Sequence, residues 1–534
     1  MRDKKSRPND LFLAGALLVL FIVLAGVSLA PGVLYVGKHE GDTLHMVDVM
    51  LRMARGDVPH VDFMTPIGLL AFAPVLLFLK AGAGVGMAMI LGQVLVAGLA
   101  LPALWWVARS RFSGGWAHGF GAAILVLFLG LVHGTAEPSV SMSMHYNRWA
   151  WAVTFMVLAT ALLPPQDRAH PMADGLVIGL GLSFMALTKV TFLVGFALPV
   201  AIALLARGAL RSLGVAVLTG LAVVVLVTGV MGVDIWLAWM SDLRDVASSS
   251  VRVQPGLTLG QVIGAPAHLA GTLVLILSII LLRQGERRPQ GLALLLLAPG
   301  FYYVTWQNYG NDPQWLLLLG FVMFALVPPR EVHNILGWNV TAGIGLAGMA
   351  ALSLAAPSFL NMAWSPFRHL NMDAADYAPL LPGQGRHEDV QVARLRNLEV
   401  GASVPIEMAD ASEQEEAPRI NGEALPICSL GLGLGHWQAA VAAQLKDSGL
   451  VTGQQLFTAD VLNVQWLFGA GEPLEGGAPW YYGGLSGFAN ADLVLVPLCP
   501  VVAGVRKLIL SEIEEAGVTL TEVDRTDLYI LYRK

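Results

Sequence analysis

The predicted fold class is a polytopic α-helical membrane protein, with about eleven transmembrane helices and an extracytoplasmic α/β domain at its C-terminus. Three observations predict it. The 534 residues are 55% hydrophobic and only 13% charged, with a mean hydropathy of +0.64. An ordinary soluble domain carries about 25% charged residues. Twelve apolar segments follow one another up to residue 356. Beyond residue 358 that character is lost, and from about residue 424 strand-like and helix-like stretches alternate, the pattern of a layered α/β domain.

The first segment follows "MRDKKSRPND" and reads "LFLAGALLVLFIVLAGVSLAPG". Ser28-Leu29-Ala30 mimics a cleavage site, but the run is long enough to span a bilayer and Pro31 would hinder a signal peptidase. It reads as an uncleaved helix with a cytoplasmic N-terminus. The apolar segments lie at about 11–32, 67–80, 84–108, 117–133, 149–163, 174–188, 190–206, 211–233, 266–283, 291–305, 313–328 and 335–356. Segment 67–80 is too short to cross. If it does not cross, the N-terminal tail and the loops "ARSRFSGG", "PPQDRAHPMAD", "ARGALR", "RQGERRPQ" and "PPREVHN" are cytoplasmic and hold 13 Lys and Arg. If it did cross, "RQGERR" would face outward, against the positive-inside rule. Residues 174–206 could form one bent helix, but a split at Lys189 preserves the charge pattern.

Domain boundaries follow as 1–357 for the membrane part, with a first outer loop at 33–83, and 358–534 for the soluble part. In the latter, "ALPICSLGLGLGHWQAAVAAQLKDSG" reads as strand, glycine turn and helix. "ADLVLVPLCP" reads as a buried strand, "VVAGVRKLILSEIEEAG" as a helix, and "VTLTEVDRTDLYILYRK" as a hairpin. The spacing in "GLGLGHW" is not that of a dinucleotide turn, so tight packing explains its glycines better. Cys428 and Cys499 cannot make a metal site alone, and free thiols are favoured over a pair. The net charge of −6, with no basic cluster, excludes a nucleic-acid partner. No internal repeat is evident, unlike many transporters.

On this topology the unusual polar residues converge on one face: the loop 33–83, "HGTAEPSVSMSMHYNR" (133–148), Lys189, residues 234–264, and "WQNYGNDPQ" (306–314). In the first loop, Leu44, Val47, Leu51 and Ala54 recur at helical spacing opposite His45, Asp48, Arg52 and Arg55. This is an amphipathic helix expected to lie on the membrane, with Asp48 and Arg52 an i,i+4 ion pair. Glu40 and Asp42 stand at its N-terminal end, and Asp42 as a simple helix cap is an open reading.

An acidic pair after the first transmembrane helix, a surface helix, and the run Gly56-Asp57-Val58-Pro59-His60-Val61-Asp62-Phe63…Gly68 together resemble the GT-C glycosyltransferases. That superfamily includes the protein O-mannosyltransferases and the lipid A aminoarabinose transferases. "GLGLSFMALTKVTF" is similar to the glycine-rich helix ending in lysine of several members. The resemblance covers about 350 residues with short motifs, and His60 stands where many members have an aromatic residue.

The resemblance implies transfer of a sugar from a polyprenyl-phosphate donor to a lipid, glycan or protein acceptor. The reaction would run at the outer face of a bacterial inner membrane, with the C-terminal domain periplasmic. Asp42 would be the general base, with Glu40 sharing a proton, binding a metal or orienting the acceptor. Glu137 matches a second acid of some relatives, so Glu40, Asp42 and Glu137 are the candidate set for a divalent metal, itself left open. His45, His60 and His145 could join such an ion. Lys189 is the first candidate for the donor phosphate, against simple snorkelling, and Arg148 the second, against interfacial anchoring. Asp62, His60, His145, Tyr146, Asn147, Asn308 and Asp312 are candidate substrate contacts, although "QNYGNDP" could be a plain polar turn. A transporter or lipid flippase with a periplasmic domain is the alternative.

Overall fold

The computed structural model of the chain describes residues 10–249, 251, 258–307, 312–406 and 416–534. In chain order it runs α1 (Asp10–Leu29), β1 (Leu34–Val36), α2 (Glu40–Arg55), α3 (Ala73–Lys80), α4 (Val85–Arg111), α5 (Gly115–Leu129), α6 (His145–Leu162), α7 (Pro171–Thr188) and α8 (Val190–Ala206). There follow α9 (Leu210–Met231), α10 (Asp234–Ser248), α11 (Leu259–Gly264), α12 (Pro266–Gln284), α13 (Arg288–Gln307), α14 (Trp315–Leu326) and α15 (Val340–Leu370). Eleven of these, α1, α4 to α9 and α12 to α15, build a bundle whose core is almost wholly apolar. Six of them, α1, α4, α7, α9, α12 and α15, are long and apolar enough to cross a membrane, while α5, α8 and α14 are shorter apolar helices. Helix α3 has 8 residues, about 12 Å of rise. It packs along α4 and is too short to span a bilayer, in line with the charge pattern.

Hydrogen bonds sort the loops into two ends. At one end Arg109 pairs with Asp10, Arg111 with Asp174, and Arg330 with Glu286. Arg207 donates to the carbonyls of Thr160 and Ala161, and Arg287 to that of Leu326. This basic end gathers every loop expected to be cytoplasmic. At the other end the loops at 33–83, 130–144 and 234–249, the α7/α8 junction and residues 312–314 meet one another and the C-terminal domain. Gly37 N donates to Val140 O, Gly68 N to Thr188 O, Thr65 N to Asp242, and Gln314 Nε2 to Gly134 O. The eleven bundle helices run between these two sets of loops, and α3 does not.

The boundary expected at 357/358 falls inside α15, which has 31 residues and rises about 46 Å. Pro357 and Pro366 lie within it. The carbonyl that Pro366 leaves unpaired, that of Met362, accepts from Ser365 Oγ at 2.6 Å, so the helix continues. Its last turns tie down the domain end: Ser365 Oγ accepts from Leu131 N, and Asn361 Nδ2 donates to the carbonyls of Thr135 and Glu137.

The C-terminal domain contains β2 (Tyr377–Pro379), β3 (Val390–Ala393), α16 (Arg394–Asn397), β4 (Gly401–Ser403), β5 (Arg419–Ile420), β6 (Glu423–Ala424), β7 (Ser429–Leu432) and α17 (Leu434–Ser448). It closes with β8 (Leu456–Thr458), β9 (Leu493–Pro497), α18 (Ala503–Glu515), β10 (Thr521–Arg525) and β11 (Tyr529–Arg533). Its main sheet has the order β10-β11-β9-β8, with β8 and β9 parallel and the others antiparallel. Gly433 turns β7 into α17 with φ 79°, and a Cβ there would stand 2.7 Å from Val400 Cα, so glycine is required by close packing. Cys428 and Cys499 are paired, against the reading of free thiols. Leu430 N donates to Pro500 O, which brings the two segments together across 71 residues of sequence.

Two contacts fuse the domain to the first loop. β1 joins the sheet β1-β3-β2, parallel to β3 with Leu34 opposite Val390 and Val36 opposite Val392. Asp389 accepts from Gly86 N and Met87 N and so caps α4. Helix α2 therefore does not lie free on the membrane. Asp48 and Arg52 form the expected ion pair at 2.6 Å, but both are buried. Trp466 Nε1 donates to Asp48, and Arg52 to Leu474 O. The polar stripe that looked solvent-facing is covered by the C-terminal domain.

Candidate active site

The site begins where α2 begins. His39 precedes the helix in left-handed conformation (φ 65°), and no side chain caps it. Asp42 is the third helical residue, so it is not the cap left open by the sequence. Its carboxylate lies in the first turn, where the helix dipole favours negative charge. Beside it runs the segment "SVSMSM", whose Ser141 and Ser143 reach His39 and Asp42. Ser143 Oγ donates to Asp42 Oδ2 at 2.6 Å, and Ser141 Oγ lies 3.0 Å from His39 Nδ1.

Asp42 faces a cavity of about 370 Å3, lined also by His39, His45, His133, Met144, Tyr146, Trp480 and Tyr482. Its size is that of a small-molecule site, for which ~300–1,000 Å3 is usual. The His39 and His133 rings are 4.8 Å apart. Burial holds His39 below its ordinary value, opposed by the Asp42 charge. Burial, together with the His39 and Arg148 charges, pushes His133 down to about 4. Both rings are therefore favoured neutral beside the carboxylate.

Lys189 occupies the junction between α7 and α8 with an extended backbone (φ −150°, ψ 95°) and is 9% exposed. The first loop sets that junction. A Cβ on Gly68 would stand 2.3 Å from Leu187 O, so only glycine lets the loop approach the helix end. The Lys189 Nζ lies 5.3 Å from the Tyr146 ring centroid, a cation–π contact. Tyr146 is thus shared between the Asp42 cavity and Lys189. Leu187 and Val190, on either side of Lys189, line an apolar groove of about 490 Å3 that continues along α8 and α9 to Trp236 and Trp239 of α10. A larger apolar groove, about 670 Å3 between α4 and α7, has no ionisable side chain in its wall and lies apart from Asp42.

Of the residues expected to act together, the structure joins Asp42, Tyr146 and Lys189. Glu40 is not with them. Its carboxylate takes two hydrogen bonds of 2.9 Å from Arg396 of α16, which docks the C-terminal domain. Glu137 pairs with Lys38 at 2.6 Å on the surface. The candidate metal set Glu40, Asp42 and Glu137 thus has three different partners, and His60 and His145 are likewise engaged elsewhere. Among the described residues no group of three or more His, Cys, Asp and Glu could hold an ion, so these residues do not fit a metal.

Arg148 lies one turn into α6 and is buried in the bundle, 3.3 Å from Gln93 Oε1 and 3.5 Å from Leu127 O, and it does not line the cavity. His145 hydrogen-bonds Ala71 O, and Asn147 is buried on the same turn of α6. His60 contacts Asp242 at 2.9 Å, and Asp62 accepts from Val58 N within its own turn. The glycine- and proline-bearing motif is therefore a scaffold. Asp312 hydrogen-bonds Ser358 and the Ala136 backbone, and Asn308 lies outside the described residues. His39, His133, Ser143, Trp480, Tyr482 and Arg396 have places at or beside the site that the sequence did not assign.

These features define a polytopic helical membrane protein with a polar cavity between its bundle and its C-terminal domain. No family model and no curated protein matches the chain. Among solved structures it is similar to the crystal structure of ArnT from Cupriavidus metallidurans in the apo state. That likeness covers 98% of this chain and 97% of that chain, with a TM-score of 0.42 and 12% sequence identity.

Proposed function

We propose that this protein is a membrane glycosyltransferase that moves a sugar from a polyprenyl-phosphate donor to an acceptor, in the outer leaflet region of a bacterial inner membrane. The observation that carries the reading is Tyr146, which lines the Asp42 cavity and also covers Lys189 beside an apolar groove. A candidate base, a cation and a lipid-sized apolar channel in that sequence suit an amphiphilic phosphate donor. The lipid tail lies in the groove, the phosphate reaches Lys189, and the sugar enters the cavity.

In the reaction, an acceptor hydroxyl or amine attacks the anomeric carbon. The bond from that carbon to the phosphate oxygen breaks, and the lipid phosphate leaves with its electron pair. Asp42 takes the acceptor proton, held in position by Ser143, and Lys189 stabilises the charge on the departing phosphate. Acceptors are lipids, glycans or proteins that reach the membrane surface. A transporter would need a polar path from the cavity to the basic end, whereas Trp149, Phe155 and Phe192 are buried in the apolar core below it.

The test uses wild-type protein in native membranes with a panel of labelled polyprenyl-phosphate sugars. Label is expected to leave the lipid donor, with free polyprenyl phosphate appearing in equal amount. If every such donor stays intact in the presence of a membrane acceptor extract, the reading is wrong.

A further inference from the structure

The wall of the Asp42 cavity opposite the bundle is built by the C-terminal domain, through "APWYYGG" at 478–484. This short segment is fixed on both sides. Before it, Gly476 N donates to Asp62 O and Met64 N to Gly477 O, while Arg52 donates to Leu474 O. Within it, Tyr481 N donates to Val461 O, and Trp480 bridges to Leu462. After it, Gly483 (φ 113°) and Gly484 (φ 70°) turn the chain away beneath Ser249 of the loop following α10.

An extended chain sends alternate side chains to opposite faces. Tyr481 points back into the domain, where its hydroxyl donates to Glu512 at 2.9 Å. Trp480 and Tyr482 therefore point the other way, and both line the cavity. They stand around His45, with ring centroids at 5.6 Å from Trp480 and 6.4 Å from Tyr482. His45 is three residues after Asp42 on α2, on the same helical face. One side of the cavity is thus acidic and hydrogen-bonding, and the adjacent side is a flat aromatic corner brought from more than 430 residues away in the sequence.

Resting on the glycosyltransferase reading above, we propose that Trp480 and Tyr482 form the platform on which a pyranose ring packs its C–H face, within reach of Asp42. A pyranose has a polar rim and an apolar face, which matches a cavity with histidines and a carboxylate on one side and aromatic rings on the other. Trp and Tyr supply apolar area together with a polar edge that hydroxyl groups can use. The C–H face is common to a donor sugar and a glycan acceptor, so the kinetic arm below separates the two sources. The C-terminal domain then acts as half of the substrate site.

The experiment uses full-length protein in a non-glycosidic detergent. Saturation-transfer NMR with a short-chain alkyl glucoside as probe is expected to show the ring C–H protons saturated by wild type and by Trp480→Phe, but not by Trp480→Ala. In the transfer assay, Trp480→Ala is expected to raise KM about three- to tenfold, with kcat changed less and Trp480→Phe restoring most of the loss. A rise in donor KM assigns the platform to the transferred sugar, and a rise in acceptor KM assigns it to a glycan acceptor. No ring saturation in wild type, or equal saturation in Trp480→Ala, overturns the proposal. If the probe binds through Trp480 while no polyprenyl-phosphate sugar is consumed, the platform stands and the transferase reading falls.

Discussion

The two ends of the bundle hold charge in different ways. At the basic end Arg111 and Asp174 meet at 2.6 Å, both nearly inaccessible, and Trp106 Nε1 and the Thr160 carbonyl complete the set. At the domain end Asp42 has a serine donor on one side and a cavity of about 370 Å3 on the other. A buried charge closed on its own partners holds helices together, whereas a carboxylate that faces a ligand-sized space is available for chemistry. Substitutions should therefore separate: stability suffers at the basic end and turnover at the domain end.

The strongest challenge to this contrast is Arg111→Ala. It leaves Asp174 buried without its cation and should cost about 3–5 kcal/mol of stability, read as a lowered Tm in detergent. Transfer per folded molecule should stay near wild type. A lost turnover with unchanged Tm would erase the distinction between the ends.

Lys189→Met comes next. It should raise donor KM about tenfold or more, the effect of losing a charged hydrogen bond worth ~1.5–3 kcal/mol. Lys189→Arg should recover part of it. Equal KM in all three proteins would remove Lys189 from the phosphate site.

A smaller effect concerns pH. The neutral form of His133 is favoured in the folded state, with its value pushed from 6.5 to about 4. That stabilisation is complete above 6.5 and is lost as pH falls from 6.5 toward 4, because the unfolded chain takes up the proton first. Tm should therefore drop on acidification through this window, and His133→Asn should flatten the drop. The smallest effect belongs to Lys38 and Glu137, whose side chains are 36% and 51% exposed. Breaking that pair should change stability by no more than ~1 kcal/mol, measured as a Tm shift with salt.

Much of the architecture was legible because membrane spans are long, apolar and flanked by countable arginines. Segment length marked α3 as too short to cross, and charge counting placed the α7/α8 break at Lys189. The α/β alternation after residue 424 is also written locally, as period and glycine turns. What was not legible were partners distant in sequence. Glu40 looked like half of an acidic pair, yet Arg396, 356 residues away, claims it. Arg148 looked like a phosphate ligand, yet helix phase turns it toward Gln93. The stripe His45, Asp48 and Arg52 looked solvated because nothing local announces the domain that covers it. Trp480 and Tyr482 carry no motif at all, and only the path of their segment over the first loop brings them to Asp42.

Glu40 and Asp42 stand two residues apart on one helical turn, so exchanging each in turn tests the account most directly. Initial rates of sugar transfer from a labelled polyprenyl-phosphate donor should fall roughly 100-fold or more in Asp42→Asn, with Tm close to wild type. Glu40→Gln should retain most of the rate while weakening the hold of Arg396 on the first loop. Wild-type rates in well-folded Asp42→Asn, with the loss appearing in Glu40→Gln instead, would contradict the assignment of Asp42 as the base.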